Sequence, residues 1–374
     1  MRFVPFDLER WQSTYENRVR FNLSESGVHP FSIEELLGLA GTSAVPLLDV
    51  RLGYSQSNGT DELRQRIAAL YPGASPDQIL VTVGSAEANF AICWRLIEPG
   101  DKVAVMLPHY MQTNGLAQNF GAQVRPFHLH FGRGWEPDPA ELRAAIAPGT
   151  KLVVITNPNN PTGHVLSEET RKIILERTAE VGAWLLADEV YQGAERGGRT
   201  TASFWGTSER VIIVNGLSKA YGLPGLRIGW IVTAPALSAE LWARHDYTVI
   251  GPTGASDLLA RTALEPQARQ KIIERTRRIL NTNYPVLETW LKGFGDTFAW
   301  HPPDAGAICF VKYRAAVSAL EIVEQVRAEH SVLLVPGEHF GLPGYLRLGF
   351  GNDLPELAQA LAETARGLRR AFGD

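Results

Sequence analysis

The chain has 374 residues, of which 45% are hydrophobic and 20% are charged, and its formal net charge is −4. This length predicts about two domains, and the composition is that of an ordinary globular protein. The charge balance provides no basic field for nucleic acid, and no apolar run approaches the ~18–20 residues that would span a membrane. Since the first residues also lack the apolar core of a signal peptide, the sequence predicts a cytoplasmic protein without nucleic-acid or membrane partners.

The N-terminal part of the chain mixes acidic, aromatic and small polar residues. A short helix is predicted within residues 5–20. An irregular segment around Gly27 and His29 follows it, and segments of this kind are most often plain loops. The next helix begins at Ser32, which together with Glu35 has the spacing of a capping box.

Residues 79–232 alternate short apolar runs with helical patterns. Strands are predicted at 79–83, 102–107, 124–129, 151–156, 184–190, 211–214 and 227–232. This alternation favours an α/β domain with a mainly parallel sheet and helices on both faces. The nearly continuous apolar runs are typical of strands that are buried on both faces.

The pattern changes after about residue 250. Helices are predicted at 256–264, 267–292, 318–329 and 354–371, and strands at 307–312, 332–335 and 345–349. The change indicates a smaller α+β domain, which the N-terminal residues join. We therefore divide the chain into a large domain, 46–250, and a small domain formed by 1–45 and 251–374.

Polar motifs follow the ends of four predicted strands. They are Gly84-Ser85-Ala86, NPNNPTG at 157–163, Asp188 with Tyr191, and Ser218-Lys219 with Arg227. Open α/β sheets bind ligands beyond the carboxyl ends of their strands, and a small-residue turn before a helix favours anion binding. Burial would lower the pKa of Lys219 toward neutrality and suit it to Schiff-base chemistry. The sequence around Lys219 alone does not distinguish this buried lysine from one on a surface loop. The two cysteines, Cys93 and Cys309, have no metal-ligand spacing, and no metal site is predicted.

Together these motifs resemble those of pyridoxal-phosphate enzymes of fold type I, the class I and II aminotransferase superfamily. The resemblance extends from about Gly27 to Gly349, and its most specific parts are NPNNPTG, DEVY and LSKAYGLPGLRIG. It implies a pyridoxal 5′-phosphate cofactor, an amino-acid substrate and a homodimer with shared active sites.

The resemblance also implies roles for residues at the cofactor ring. Lys219 matches the lysine that forms the Schiff base and later moves protons at the substrate Cα. Asp188 matches the acid that keeps the pyridine nitrogen protonated, so that the ring can accept electrons. Tyr191 and Asn160 match residues that hydrogen-bond the 3-oxygen of the cofactor, and Tyr110 matches the aromatic residue that stacks on the ring.

Further matches concern the cofactor phosphate. Ser85 and Ala86 match the cradle formed by backbone amides and a helix dipole, and Arg227 matches a bidentate phosphate ligand. Tyr54 matches a tyrosine that reaches the phosphate of the neighbouring subunit. The chain departs from many relatives at Gly216, where they carry serine or threonine as a phosphate ligand. Either that contact is lost, or Ser218 or water supplies it.

The matches at the substrate are fewer. Arg347 matches the arginine that binds the α-carboxylate, with Asn160 beside it, and Gly27 matches a backbone contact on the other side of that carboxylate. The sequence offers no obvious second arginine for a dicarboxylate side chain, which argues against an aspartate or glutamate specialist.

The reaction depends on the N-terminal segment, which resembles that of hydroxyarginine cyclases of the capreomycidine synthase group. Such enzymes dehydrate a hydroxyarginine and close a guanidine ring, including in enduracididine-forming relatives. A guanidinium group favours carboxylate partners, so Glu9 is the first candidate, followed by Thr14 and Glu16. His29 could transfer protons near neutral pH. The acids could equally form a solvated helix face, and His29 could serve a loop or cap.

Other reactions share the same core motifs. The main alternative is an aminotransferase for a neutral or cationic amino acid, and an oxygen-dependent arginine oxidase is a further possibility. A non-catalytic aminotransferase-like module is disfavoured by the intact Lys219, Asp188 and Arg227.

Overall fold

The computed structural model describes residues 3–372 of the chain. The α-helices within this range are α1 Asp7–Tyr15, α2 Ile33–Ala40, α3 Val45–Leu48, α4 Asp61–Ala68, α5 Ser85–Leu96, α6 Gln112–Asn119, α7 Pro139–Ala145, α8 Glu168–Val181, α9 Pro235–His245, α10 Gly254–Leu264, α11 Pro266–Lys292, α12 Ala319–His330 and α13 Leu354–Phe372. No helix of the described residues has the length and apolarity that crossing a bilayer would require.

The strands form a large sheet and two smaller ones. They are β1 Phe21–Asn22, β2 Ile79–Val83, β3 Lys102–Leu107, β4 Gln123–His130, β5 Glu136–Pro137, β6 Thr150–Thr156, β7 Trp184–Asp188, β8 Val211–Gly216, β9 Ile228–Val232, β10 Phe298–Trp300, β11 Ile308–Tyr313, β12 Val332–Leu333, β13 Val335–Pro336 and β14 Tyr345–Gly349.

The large sheet has the strand order β2-β9-β8-β7-β6-β3-β4-β5. Neighbours from β8 to β4 are parallel, whereas β9 runs antiparallel to both β2 and β8. The predicted α/β architecture with a mainly parallel sheet is therefore confirmed. The carboxyl ends of β6, β7 and β8 lie side by side, so the polar residues that follow them meet at one edge of the sheet.

Strand β6 illustrates why both faces of this sheet are covered. Val153 and Ile155 point into one hydrophobic core, while Leu152 and Val154 point into a second core on the opposite face. Successive side chains of a strand face opposite sides, so a run of apolar residues needs helices on both faces. Helix α5 fills the second core with residues such as Ile92 and the buried thiol of Cys93.

The smaller sheets carry the C-terminal part of the chain and the N-terminal segment. One has the order β10-β11-β14-β13, and the other pairs β1 with β12 in parallel. The N-terminal segment is thus attached to C-terminal residues more than three hundred positions away. The division into domains at residues 46 and 250 stays a prediction.

Most predicted elements agree with the structure within a few residues, including the capping box at Ser32 and Glu35. Helix α9 is the largest element that the sequence pattern did not predict. Its signal was Pro235 in the first turn, a position that favours helix starts. Leu237 and Leu241 from α9 complete the second core.

Candidate active site

A cavity of about 440 Å³ lies where the ends of the large-sheet strands face helix α1 and the N-terminal segment. Many of the residues singled out from the sequence line it: Glu9, Ser85, Ala86, Tyr110, Asn160, Asp188, Tyr191, Ser218, Lys219, Arg227 and Arg347. Segments that are far apart in the chain therefore bring their polar groups to one place, as expected for a ligand site.

Asp188 is the last residue of β7, and its side chain is buried at the base of the cavity. The backbone N–H of Val190 donates to Oδ1 at 3.2 Å, and the Asn89 amide donates to Oδ2 at 3.4 Å. Burial raises the pKa of Asp188 to about 6, because these neutral donors and the more distant Lys219 offset it only in part. A carboxylate in this setting favours a protonated nitrogen as its partner.

Lys219 follows β8 and forms an ion pair with Glu25 at 2.6 Å between Nζ and Oε1. Burial alone would lower the pKa of Lys219, but the Glu25 carboxylate outweighs it and the pKa is raised. The expectation of a lysine with a pKa near neutrality is therefore wrong for this structure. The sequence argument considered desolvation without the charge that faces the amine.

Helix α5 begins at the cavity with Ser85, after Gly84 at a positive φ of 81° and without a side-chain cap. A Cβ atom at Gly84 would lie 2.3 Å from a terminal nitrogen of Arg227, so only glycine lets that guanidinium approach the helix N-terminus. The amide donors of the first turn and the guanidinium both favour an anion. These residues fit the phosphate of pyridoxal phosphate.

Gly216 pairs with Gly229 across strands β8 and β9. A Cβ at Gly216 would lie 3.0 Å from the carbonyl oxygen of Ile228, and one at Gly229 would lie 2.4 Å from the backbone nitrogen of Ser85. A serine or threonine at position 216 would therefore require strand β9 to move by a few tenths of an ångström. Ser218 lines the cavity nearby.

Arg347, on β14, is almost completely buried. One terminal nitrogen donates to the Asn160 side-chain oxygen at 2.9 Å, and the other donates to the carbonyl oxygen of Ser24. Its Nε has no hydrogen-bond partner among the described residues. Burial lowers the pKa of Arg347, and a guanidinium in this position suits a substrate carboxylate.

Tyr191 also lines the cavity. Its hydroxyl donates to the Ser26 hydroxyl oxygen at 2.8 Å, which connects the sheet edge to the N-terminal segment. The contacts of Tyr191 and Asn160 with a cofactor oxygen stay a prediction, as does the stacking of Tyr110.

Helix α1 covers the cavity with acidic side chains. The Tyr110 hydroxyl donates to Glu9 Oε2 at 2.6 Å, and Phe6 contacts the Tyr110 ring edge-on with centroids 5.1 Å apart. Glu16 also lines the cavity. Its pKa is raised by burial and by repulsion from Glu25 and Glu9, so these three carboxyl groups lie close enough to repel one another.

Two N-terminal candidates lie outside the cavity. The Thr14 hydroxyl donates to the carbonyl oxygen of Arg10 within its own helix. His29 Nε2 lies 3.1 Å from Asp353, and an Arg275 nitrogen lies 2.9 Å from its Nδ1. The predicted substrate contact of Thr14 and the catalytic role of His29 are not supported by these positions, because each side chain is turned to a structural partner.

Gly27 and Tyr54, which the sequence also singled out, are not among the residues that line the cavity. The backbone N–H of Gly27 donates to Glu25 Oε1 at 3.0 Å, so an internal acceptor already occupies it. Tyr54 is 93% exposed on the surface of the chain, and its predicted contact with a neighbouring subunit stays a prediction.

Glu25 is the main residue that sequence reasoning missed. It lines the cavity, and its pKa is lowered to about 2, since Lys219 and two backbone amides outweigh the effect of burial. Its neighbours Ser24, Ser26 and Gly27 are buried. The sequence signal that could have indicated Glu25 was a single acidic residue within a run of small residues.

Comparison with known proteins adds independent information. The family model described as Aminotransferase class I and II matches residues 48–363. The chain is 33% identical to capreomycidine synthase of Streptomyces vinaceus over 98% of this chain and 96% of that protein.

Two solved structures are also similar. A pyridoxal-phosphate-dependent aminotransferase from Streptococcus suis has 34% identity and a TM-score of 0.93, over 100% of this chain and 99% of that one. The pyridoxal-phosphate-dependent cyclase OrfR has 30% identity and a TM-score of 0.90, over 99% and 98%. The predicted fold, the enzyme assignment and the pyridoxal 5′-phosphate cofactor are confirmed, and the chain belongs to the class I and II aminotransferase family.

Proposed function

We propose that this enzyme dehydrates a hydroxyarginine and closes its side chain into a cyclic guanidino amino acid of the capreomycidine or enduracididine type. The acidic lining that Glu9, Glu16 and Glu25 give to the cavity carries this proposal. Lys219 pairs with only one of these carboxylates, and a guanidinium is a planar cation that carboxylates bind with several hydrogen bonds.

The α-amino acid end of the substrate would be held by Arg347, whose Nε has no partner among the described residues. Asn160 orients this guanidinium through their 2.9 Å hydrogen bond. With its carboxylate at Arg347, the substrate would extend its side chain toward helix α1, where Glu9 and Glu16 lie. This arrangement separates the anionic and cationic ends of one molecule.

The cofactor would be held at its ring nitrogen by Asp188 and at its phosphate by Ser85, Ala86 and Arg227. When bound, pyridoxal phosphate withdraws electrons from the substrate Cα. Lys219 would take the Cα proton with its Nζ. Glu9 and Glu16 would hold the guanidino group over the side-chain carbons, and α1 would limit the access of water.

The proposed conversion balances without an oxidant or a reductant. The substrate loses its side-chain hydroxyl and one proton as water, and a guanidino nitrogen forms a new C–N bond within the same molecule. The similarity to capreomycidine synthase and to a cyclase structure supports this outcome. An aminotransferase for a neutral or cationic amino acid is the second candidate, which the similar Streptococcus suis structure favours.

The test is to incubate the holoenzyme with arginine, 3-hydroxyarginine or 4-hydroxyarginine, each with and without a 2-oxo acid. Product masses are then measured. We expect loss of one water from a hydroxyarginine in the absence of any 2-oxo acid. A keto product that requires the 2-oxo acid would instead establish transamination, and oxygen uptake with arginine would establish oxidation.

Lys219→Ala is the control for the cofactor chemistry. Because Lys219 would supply the amine that moves the Cα proton, the variant should lose turnover with every substrate. Normal turnover of this variant would contradict the proposed site as a whole, whichever product the wild-type enzyme forms.

We also propose that the protein is a homodimer in which Tyr54 reaches the partner's active site. Large apolar side chains near Tyr54 are exposed in the single chain, including Leu48 and Leu52, and Leu52 is 99% accessible. Clusters of this kind favour a protein partner, and a second copy is the partner that the family resemblance implies.

A further inference from the structure

Glu25 uses its two carboxylate oxygens differently. Oε1 accepts three hydrogen bonds, from Lys219 Nζ at 2.6 Å, from the backbone N–H of Ser26 at 2.8 Å and from that of Gly27 at 3.0 Å. Oε2 has no hydrogen bond to any of the described residues, and 39% of the side chain is accessible from the cavity. The carboxylate is therefore fixed at one oxygen and open at the other.

Two backbone amides anchor this carboxylate independently of the lysine. They belong to a segment in which Gly27 lies close to the Lys219 backbone, since a Cβ on Gly27 would be 3.5 Å from the Lys219 Cα. The segment and the lysine loop are therefore held together by main-chain packing. Removal of the charge on Glu25 should leave this contact in place.

We propose that Glu25 is a positioning residue for Lys219, which holds the lysine amine as an ammonium beside the cavity and controls when it becomes the neutral nucleophile. Nothing else on the cavity wall contacts Nζ within hydrogen-bond distance among the described residues. The proposal rests on the proposed function only in that Lys219 is the residue to which the cofactor attaches. It holds for cyclisation, transamination and oxidation alike.

The ion pair between Glu25 and Lys219 should slow the attachment of the cofactor. Attachment forms a C=N bond between Nζ and the cofactor aldehyde and releases one water, and only the neutral amine can begin it. An ammonium paired with Glu25 must first lose a proton, so attachment should become faster as the pH rises through the pKa of Lys219. During turnover the same pairing would stabilise Lys219 after it has taken the Cα proton.

The experiment measures how fast pyridoxal phosphate attaches to the apoprotein as a function of pH, by absorbance. We expect Glu25→Gln to move the midpoint of this profile at least one pH unit lower, which corresponds to about tenfold faster attachment at neutral pH. Glu16→Gln is the matched control, because it removes the same charge from the same cavity without a contact to Nζ. Its midpoint should move less.

The outcomes separate the two proposals. Equal profiles for wild type and Glu25→Gln, or equal shifts for Glu25→Gln and Glu16→Gln, would overturn the role of Glu25. If circular dichroism shows that Glu25→Gln does not fold, Glu25→Asp replaces it in the test. Its shorter side chain loosens the ion pair and should lower the midpoint of the pH profile. An unchanged midpoint would overturn the role of Glu25. Lys219→Ala must show no attachment at any pH. If it does, the attachment residue is wrong, whatever Glu25 does.

Discussion

Asp188 and Glu25 line the same cavity, yet their pKa values move in opposite directions. Burial raises the pKa of Asp188 to about 6, because its closest donors are neutral amides. The Lys219 ammonium and two backbone amides lower the pKa of Glu25 to about 2 in spite of burial. At the scale of single residues, the neighbours rather than the residue type decide whether a carboxyl group can share a proton.

His164 shows the same principle outside the cavity and allows a test by pH. Its Nε2 lies 2.8 Å from Glu136 and its Nδ1 lies 3.2 Å from Asp304. These carboxylates outweigh burial and raise the pKa of His164 to about 9. A raised folded-state pKa gives stability that is complete below the unfolded value of about 6.5 and is lost as the pH rises through about 9.

We therefore expect His164→Asn to lower the free energy of unfolding of the apoprotein by up to about 3 kcal/mol near pH 6 and by much less near pH 10. Urea denaturation at both pH values measures this difference. His301→Asn is the control, since that imidazole bonds the carbonyl oxygen of Phe131 instead of two carboxylates. A loss from His164→Asn that is the same at both pH values would show that packing and not charge stabilises this position.

At the scale of elements, strands β8 and β9 and the start of α5 meet through glycine. Gly216 and Gly229 face each other across the two strands, and the backbone of Ser85 lies directly beside Gly229. The proposed phosphate cradle would therefore depend on how closely the sheet approaches the helix N-terminus. Gly216 itself approaches β9, since a Cβ there would lie 3.0 Å from the carbonyl oxygen of Ile228.

Gly229→Ala tests this close approach. A Cβ there would lie 2.4 Å from Ser85 N and 2.5 Å from the Gly84 carbonyl carbon. Because backbone atoms cannot rotate away, we expect a loss of about 1–3 kcal/mol in the free energy of unfolding and weaker binding of pyridoxal phosphate. The matched control is Gly38→Ala in α2, where a Cβ has no neighbour within 4 Å and helix propensity should add about 0.5–1 kcal/mol. Wild-type cofactor affinity in Gly229→Ala would contradict the role of this packing.

At the scale of the whole molecule, the exposed apolar residues around Leu52 and Tyr54 form the surface that the proposed dimer would bury. A monomer rarely exposes large apolar groups in a cluster without a partner. If the partner is a second copy, each active site gains Tyr54 from its neighbour.

Leu52→Arg should weaken the dimer, because a charge would be buried at an apolar contact. Sedimentation velocity should show a dimer for the wild type and a larger monomer fraction for the variant, with weaker binding of pyridoxal phosphate. Leu320→Arg, on α12, places the same charge at another partly exposed leucine and should leave the dimer intact. A wild-type protein that sediments as a monomer at micromolar concentration would contradict the shared site.

Sequence reasoning predicted the parts of the site that follow strand ends and missed the parts that depend on distant contacts. Asp188 and Lys219 could be predicted because Asp188 ends one buried strand and Lys219 lies shortly after the next, and neighbouring parallel strands end at the same edge. Thr14 and His29 could not be placed correctly. The direction of one side chain on a helix, or in an irregular loop, depends on partners such as Asp353 that no local pattern identifies.

The order of apolar runs and turns by itself determined the α/β architecture, because strands buried on both faces require that pattern. The motifs at the strand ends likewise determined the family. Only the tertiary structure decided that Glu25 faces Lys219, which lies 194 positions later in the chain. The physical reason is that the charge state of a lysine depends on which groups surround it in space, and that packing brings these groups together from parts of the chain whose local patterns are unrelated.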